Sequence, residues 1–175
     1  VRASYEGLEA ASITLSGGDL DVTATDDGIN VSGGADSSGT GGPGGMGGGG
    51  GMGGEETFTA DAETFLLVSG GTLTVDAGGD GLDSNGSISI TGGTTTVDGP
   101  TDGGNGAIDA NSGVEVSGGV LVAAGSAGMA VSPAESSPQA STMVVFDGAQ
   151  AAGTTVSLVA EDGTVVASYT PAKSF

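Results

Sequence analysis

Short stretches of alternating apolar and polar residues recur along the chain, and each contains a pair of glycines. The alternation around Leu73 and Val75, and again around Ile88 and Ile90, is typical of β-strands that bury one face. The copies read SITLSGGDLDVTA, FLLVSGGTLTVDA, SISITGGTTTVDG and GVEVSGGVLVAAG. A second phrase recurs around them as EGLEA, DDGIN, GDGLDSN, GAIDAN and AGMAV. Such internal similarity predicts a molecule built from repeated layers.

The spacing of the repeats indicates the fold that the layers build. Gly7 and Gly28 are 21 residues apart, and so are Ala107 and Gly128. A repeat of that length, with three short strands and glycine turns, is one rung of a parallel β-helix. The sequence therefore predicts an all-β protein, a parallel β-helix solenoid of about five rungs of roughly 21 residues each.

Alignment of the repeats places like residues in columns. Inward side chains of a β-helix stack on their counterparts about 4.8 Å apart, so each column should contain like, mainly apolar, side chains. A disordered acidic segment is the alternative, since glycine makes up 38 of the 175 residues, but disorder would not keep the columns in register. The apolar columns are Ile13, Leu66, Ile88 and Val114; Leu15, Val68, Ile90 and Val116; Leu20, Leu73, Thr95 and Leu121; Val22, Val75, Val97 and Ala123; and Leu8, Ile29, Leu82, Ile108 and Met129.

Two segments depart from the repeat, and the C-terminus carries a different signal. Residues 33–56 lack apolar periodicity and are expected to be a flexible glycine-rich loop; a phosphate-binding loop would need a lysine or arginine, which this segment lacks. Residues 132–142 form a Pro/Ser-rich loop before a predicted MVVF strand. Alternation on both sides of Asp162 and Gly163 predicts a C-terminal β-hairpin cap.

The chain is expected to be one β-helix domain, residues 1–175. It begins inside a rung, at VRASYEGLEA, with no capping element ahead of it. An uncovered end of a β-helix exposes unpaired backbone groups and aggregates. We therefore expect this domain to be the C-terminal part of a longer solenoid.

Acidic residues also fall in columns when the repeats are aligned. Carboxylates repeated every 4.8 Å or so repel each other unless a cation lies between them or some are protonated. Oxygen-only ligands of this kind suit Ca²⁺, whereas Mg²⁺ demands tighter octahedral geometry and Zn²⁺ prefers His or Cys. The predicted metal ligands are Glu9, Asn30, Asp83 and Asp109 in one column, Glu6, Asp27 and Asp80 in a second, and Asp26 and Asn105 beside it.

A purely structural interpretation stays open for these positions. The acids can lie at solvated corners, with Asn85 and Asn111 forming an asparagine ladder. The phrase GGDGLD matches the beginning of the calcium-binding nonapeptide, but it occurs once, and Asn85 occupies the position where that repeat has an apolar residue.

Composition narrows the possible partners. Two basic residues face 22 acidic ones, for a net charge of −20, which repels nucleic acid and anionic membranes and attracts cations. The chain has no cysteine and no histidine, so disulfides, thiolate chemistry and imidazole metal sites are excluded. No apolar run approaches the roughly 20 residues that cross a bilayer, so membrane insertion is not expected. This composition favours an extracellular bacterial protein in calcium-containing surroundings.

The segment SYEGLEAASITLSGGDLDVTATDDGIN, followed by the glycine-rich insertion and GDGLDSNGSISITGG, resembles a bacterial family. It is similar to carbohydrate-binding domain-containing proteins related to the pectate lyases of polysaccharide lyase family 9. The resemblance covers most of residues 4–130. It implies a right-handed parallel β-helix that binds calcium, secretion or attachment to the cell surface, and binding of plant polysaccharides such as polygalacturonate and cellulose. In that family these phrases close the solenoid after earlier rungs.

Catalysis is not expected from these residues. A pectate lyase needs a basic residue beside its calcium, and Arg2 and Lys173 lie near the ends of the sequence, away from the acidic columns. A glycosidase needs two carboxylates set apart for the reaction, and no pair differs from the repeated pattern. Without histidine a Ser-His-Asp triad is impossible. The sequence favours a calcium-dependent carbohydrate-binding module, and the alternative is a surface rod that calcium only stiffens.

Overall fold

The computed structural model describes residues 1–32 and 63–175. Within these residues the chain forms strands and no helix, which confirms the all-β prediction. The described part of the chain therefore has no helix that could cross a membrane. The glycine-rich insertion predicted at residues 33–56 lies outside the described residues. The strands are β1 (Leu8–Glu9), β2 (Ser12–Ala24), β3 (Ile29–Val31), β4 (Phe65–Ala77), β5 (Leu82–Ser84), β6 (Ser87–Asp98), β7 (Ile108–Ala110), β8 (Val114–Val116), β9 (Val120–Ala124), β10 (Val156–Val159) and β11 (Val165–Tyr169).

Two parallel sheets contain the first nine strands. The short-strand sheet has the order β1-β3-β5-β7, and the long-strand sheet has the order β2-β4-β6-β8, with β9 also paired to β6. From β1 to β8 the chain therefore alternates between the two sheets, and each strand pairs with the strand two elements later. This arrangement is compatible with the predicted β-helix, while its handedness and the number of rungs stay predictions.

The strands pair in the register that the apolar columns predict. Ile13 pairs with Leu66, Leu66 with Ile88 and Ile88 with Val114, so one column runs through four strands of the long-strand sheet. The second, third and fourth columns pair in the same way. The core consists of these inward residues, which are almost wholly buried: Val22, Ile29, Val31, Leu66, Val68, Leu73, Val75, Ala77, Leu82, Ile88, Ile90, Val97, Ile108, Val114 and Val116.

The fifth apolar column has four members instead of the five predicted. Leu8, Ile29, Leu82 and Ile108 are aligned across the short-strand sheet. Met129, expected to continue the column, lies in a turn and is 45% exposed. The reason is that β7 is the last strand of this sheet in the described part of the chain, so no strand carries Met129 over Ile108.

The paired glycines bend the long strands and fix their stacking. Gly18, Gly71 and Gly93 have φ of 87°, 84° and 81°, a left-handed conformation that side chains disfavour. They lie above one another, and a Cβ on Gly71 would collide with the carbonyl oxygen of Gly18. Glycine is therefore needed in the SGG and TGG phrases for two reasons: the backbone conformation is left-handed, and the neighbouring strands approach closely.

The C-terminal part of the chain follows the prediction in one element and departs from it in another. β10 and β11 form the predicted antiparallel hairpin around Asp162 and Gly163. The MVVF segment at residues 143–146 is not a strand, and its side chains are exposed. The Pro/Ser-rich loop instead covers the edge of β8, because Ala134 N–H donates to Val114 O (2.8 Å) and Gln139 N–H donates to Val116 O (3.1 Å). A strand over residues 143–146 is thus not needed to protect that edge.

Replacement of Gly71 by alanine should destabilise the fold. The new Cβ would be strained by the positive φ and would meet the backbone of the neighbouring strand, so we expect a loss of more than about 1 kcal/mol in the free energy of unfolding. The matched control is Gly17→Ala, whose Cβ would have nothing within 4 Å. Thermal unfolding followed by circular dichroism compares the two variants, and equal melting temperatures would contradict the stacking account.

Candidate metal centre

Most of the predicted metal ligands lie at or just before the strands of the short-strand sheet. Three copies of the second phrase, EGLEA, DDGIN and GDGLDSN, contain an acid before a glycine, then an inward apolar residue, then a second polar residue. In β5, Leu82 is buried in the core, and Asp83 next to it points to the other side. Asp83 pairs with Asn30 of β3 and with Asp109 of β7. Parallel pairing therefore aligns the polar positions of successive repeats as closely as it aligns the apolar ones.

Three carboxylates form the centre of this region: Asp80, Asp83 and Asp109. One oxygen from each lies within 4.8 Å of the others, and all three residues are half-buried. Ca²⁺–oxygen bonds are about 2.3–2.6 Å long, so two oxygens on opposite sides of one ion lie up to about 5 Å apart. The three oxygens can therefore share one metal ion. We call these three residues the aspartate trio.

Backbone hydrogen bonds hold the side chains of Asp27 and Asp80 in place. Asp80 N–H donates to Asp27 Oδ1 (2.7 Å), and Gly106 N–H donates to Asp80 Oδ1 (2.5 Å). Each bond joins one repeat to the next and occupies one carboxylate oxygen, so the second oxygen remains for another partner. Gly79 makes room for this packing, since a Cβ there would lie 2.5 Å from the Oδ1 atoms of both Asp26 and Asp27.

The carboxylates of this region bind protons more tightly than ordinary aspartates. Burial raises the pKa of both Asp27 and Asp83 from 3.8 to about 7, and it also raises the pKa of Asp80. Repulsion adds to the effect: Glu6 raises the pKa of both Asp27 and Asp83. Crowded, partly desolvated carboxylates favour the neutral form unless a positive charge joins them, and a bound cation reverses that preference.

The other six predicted ligands are not part of the trio. Asp26, Asp27 and Glu6 are close enough for their charges to act on one another, and Asn30 is buried in the column between Glu9 and Asp83. Glu9 is exposed at the β1 end of that column, and Asn105 precedes the residue that donates to Asp80. Sequence reasoning missed Gly106 N–H and Gly79, because a backbone donor has no side-chain signature.

Comparison of the chain with protein-family models, with curated proteins and with solved structures gives no match. The function must therefore be inferred from the chemistry of the carboxylates.

The raised pKa values predict that the metal-free protein is less stable at alkaline pH. The folded state keeps protons on Asp27 and Asp83 up to about pH 7, whereas the unfolded chain releases them near 3.8. This stabilisation is complete below pH 3.8 and is lost as the pH rises through 7. In chelator, the melting temperature should therefore fall between pH 5 and pH 8.

Asp83→Asn should make that fall smaller, because it removes one of the titrating groups. Asp19→Asn is the matched control: it removes one exposed charge of the long-strand sheet and should leave the pH dependence as it is. A melting temperature that is equal or higher at pH 8 would contradict the assignment of the raised pKa values.

Proposed function

We propose that this chain is a calcium-dependent carbohydrate-binding module of a secreted or cell-surface protein, without catalytic activity of its own. Its fold would be a right-handed parallel β-helix of about five rungs, closed by the C-terminal hairpin. Its ligand would be a plant-type polysaccharide, polygalacturonate or cellulose. The observation that carries the proposal is the aspartate trio, in which three carboxylate oxygens converge within 4.8 Å.

Calcium is the cation that this site suits best. The site offers oxygen ligands, and the chain contains no histidine or cysteine for a softer metal. Ca²⁺ accepts irregular coordination by six to eight oxygens, which fits acids whose positions are set by strand pairing rather than by octahedral geometry. The surrounding acids, Glu6, Asp26 and Asp27, add negative charge that strengthens cation binding.

A bound calcium ion would also allow this acidic protein to bind an acidic polymer. At a net charge of −20, direct contact with polygalacturonate is repulsive within a Debye length of about 8 Å. The trio supplies three carboxylates to an ion that takes six to eight ligands, and its residues are only half-buried. The remaining positions are open to water or to uronate oxygens, so the ion can link protein and polymer.

A structural role is the second candidate, and one observation favours it. Asp83 lies on β5 and Asp109 on β7, the neighbouring strand of the short-strand sheet. An ion bound by both would tie successive repeats together whether or not a glycan binds. Calcium would then stiffen a surface rod.

Calcium should raise the melting temperature of the protein. A ligand that binds only the folded state stabilises it by about 2.7 kcal/mol at a concentration of about 100 Kd. Differential scanning calorimetry at pH 7.5 with chelator, with millimolar Ca²⁺ and with millimolar Mg²⁺ measures the shift, and we expect Mg²⁺ to give the smaller one. Asp83→Asn with Asp109→Asn should remove most of the calcium shift, and Asp19→Asn should keep it. Equal curves with Ca²⁺ and with chelator would exclude the cation site.

Binding to polygalacturonate should require calcium. With polygalacturonate coupled covalently to beads, we expect the protein to be retained in Ca²⁺, to remain in solution in chelator, and to lose binding in the Asp83→Asn, Asp109→Asn double variant. Cellulose, tested in parallel, shows whether a neutral polymer is also a ligand. A calcium shift in melting without retention by either polymer would support the structural rod. Full retention of folded protein in excess chelator would contradict calcium-dependent binding.

A further inference from the structure

The C-terminal hairpin is separate from the two parallel sheets. Within residues 1–32 and 63–175, β10 and β11 pair only with each other and form a two-stranded antiparallel sheet. Four of their large apolar residues are about half exposed: Leu158, Val159, Val165 and Val166 (47–63%). Burial of apolar side chains is the main force that docks one element on another, and these residues contribute little of it.

Residues 146–175, which we call the C-terminal unit, are closed by contacts among themselves. Gln150 and Phe175 exchange two backbone hydrogen bonds, of 2.6 and 3.1 Å. Gly153 N–H donates to Pro171 O (2.9 Å), and the rings of Phe146 and Phe175 pack edge to face with centroids 5.8 Å apart. The unit is therefore closed by its own hydrogen bonds and ring contact, in addition to the contacts that it makes with the long-strand sheet.

Polar contacts at the end of β6 attach this unit to the long-strand sheet. Tyr169 donates its hydroxyl to Asp98 Oδ1 (2.8 Å), and Ala172 N–H donates to Asp98 Oδ2 (3.1 Å). Both oxygens of one carboxylate are thus engaged by the unit. Pro171, between the two donors in the sequence, is buried.

A second set of contacts is made at the end of β4. Lys173 Nζ lies 2.8 Å from Asp76 Oδ1 and donates to Ala77 O (2.5 Å). Asp76 pairs in register with Asp98, so the unit grips two stacked carboxylates. Lys173 is the only lysine of the sequence. We call the contacts of Tyr169, Ala172 and Lys173 with these acids the clasp.

The clasp makes docking of the unit sensitive to salt. The ammonium group of Lys173 faces a carboxylate that is about half exposed (47%), so ions can screen the pair. The Debye length falls from about 10 Å at 0.1 M salt to about 3 Å at 1 M, so the attraction weakens over that range.

We propose that the C-terminal unit is a strap that is held on the flank of the long-strand sheet by the clasp and is released by raised ionic strength while the parallel sheets stay folded. The strap uses none of the trio residues, so it is independent of the proposed metal site. Its release would remove the hydrogen-bond donors and the lysine from the Asp76 and Asp98 carboxylates.

Trypsin provides the test, because the chain has two trypsin sites, Arg2 and Lys173. Arg2 is exposed and serves as an internal standard, whereas Lys173 is cleavable when the clasp opens. Mass spectrometry gives the ratio of cleavage after Lys173 to cleavage after Arg2, in chelator throughout. We expect the ratio to rise about tenfold in Asp98→Asn, which corresponds to about 1.4 kcal/mol, and less in Tyr169→Phe.

The rate of cleavage after Lys173 in the wild type, relative to cleavage of a free peptide substrate by trypsin at the same salt concentration, should also rise as NaCl is increased from about 0.1 to 1 M, with an unchanged β-sheet circular dichroism spectrum. Asp19→Asn, which removes an exposed acid outside the clasp, should behave as wild type. The proposal is overturned if Asp98→Asn leaves Lys173 as protected as in the wild type. It is equally overturned if Lys173 becomes cleavable only when the β-sheet signal is lost.

Discussion

Parallel pairing places each residue of β5 between its counterparts in β3 and β7, so Leu82 lies between Ile29 and Ile108, and Asp83 lies between Asn30 and Asp109. The backbone hydrogen bonds that create this order are indifferent to the side chains they align. For apolar positions the result is favourable, because Ile29, Leu82 and Ile108 bury one another. For glycine positions it is a requirement, since the strands approach too closely at Gly18 and Gly71 for a side chain. For acids it is a cost.

The size of that cost makes either a counter-charge or protonation of some carboxylates necessary at neutral pH. Two unit charges about 4.8 Å apart interact with about 3.5 kcal/mol at an effective dielectric constant of about 20. A few such pairs equal the whole stability of a typical domain, about 5–15 kcal/mol. At Asp76 and Asp98 the clasp offsets this repulsion, because Lys173 pairs with Asp76 and two hydrogen-bond donors contact Asp98. At the aspartate trio no basic side chain among the described residues forms an ion pair, so protonation or a bound cation must offset the repulsion among the three carboxylates.

The repeats were sufficient to predict the sheets and the acidic columns, because strand pairing follows an apolar registration that is visible in the sequence. Asp83 and Asp109 could be aligned with each other from the sequence because the apolar residues Leu82 and Ile108 directly precede them. The errors fall where the repeat ends. Met129 and the segment at residues 143–146 have the composition of strands, yet edge strand β8 is covered by the loop at residues 132–142 instead. The contact of Lys173 with Asp76 joins residues far apart in the sequence and outside the repeat, so no periodicity signals it.

Anomalous X-ray diffraction tests most directly whether stacked aspartates of successive repeats share one cation. Crystals grown at pH 7.5 with millimolar Ca²⁺ should show one strong anomalous peak among Asp80, Asp83 and Asp109, with carboxylate oxygens about 2.3–2.6 Å away. Crystals of the Asp83→Asn, Asp109→Asn double variant under the same conditions should lack it. A well-ordered wild-type trio without a peak, or a calcium peak bound elsewhere while the trio remains empty, would contradict the account.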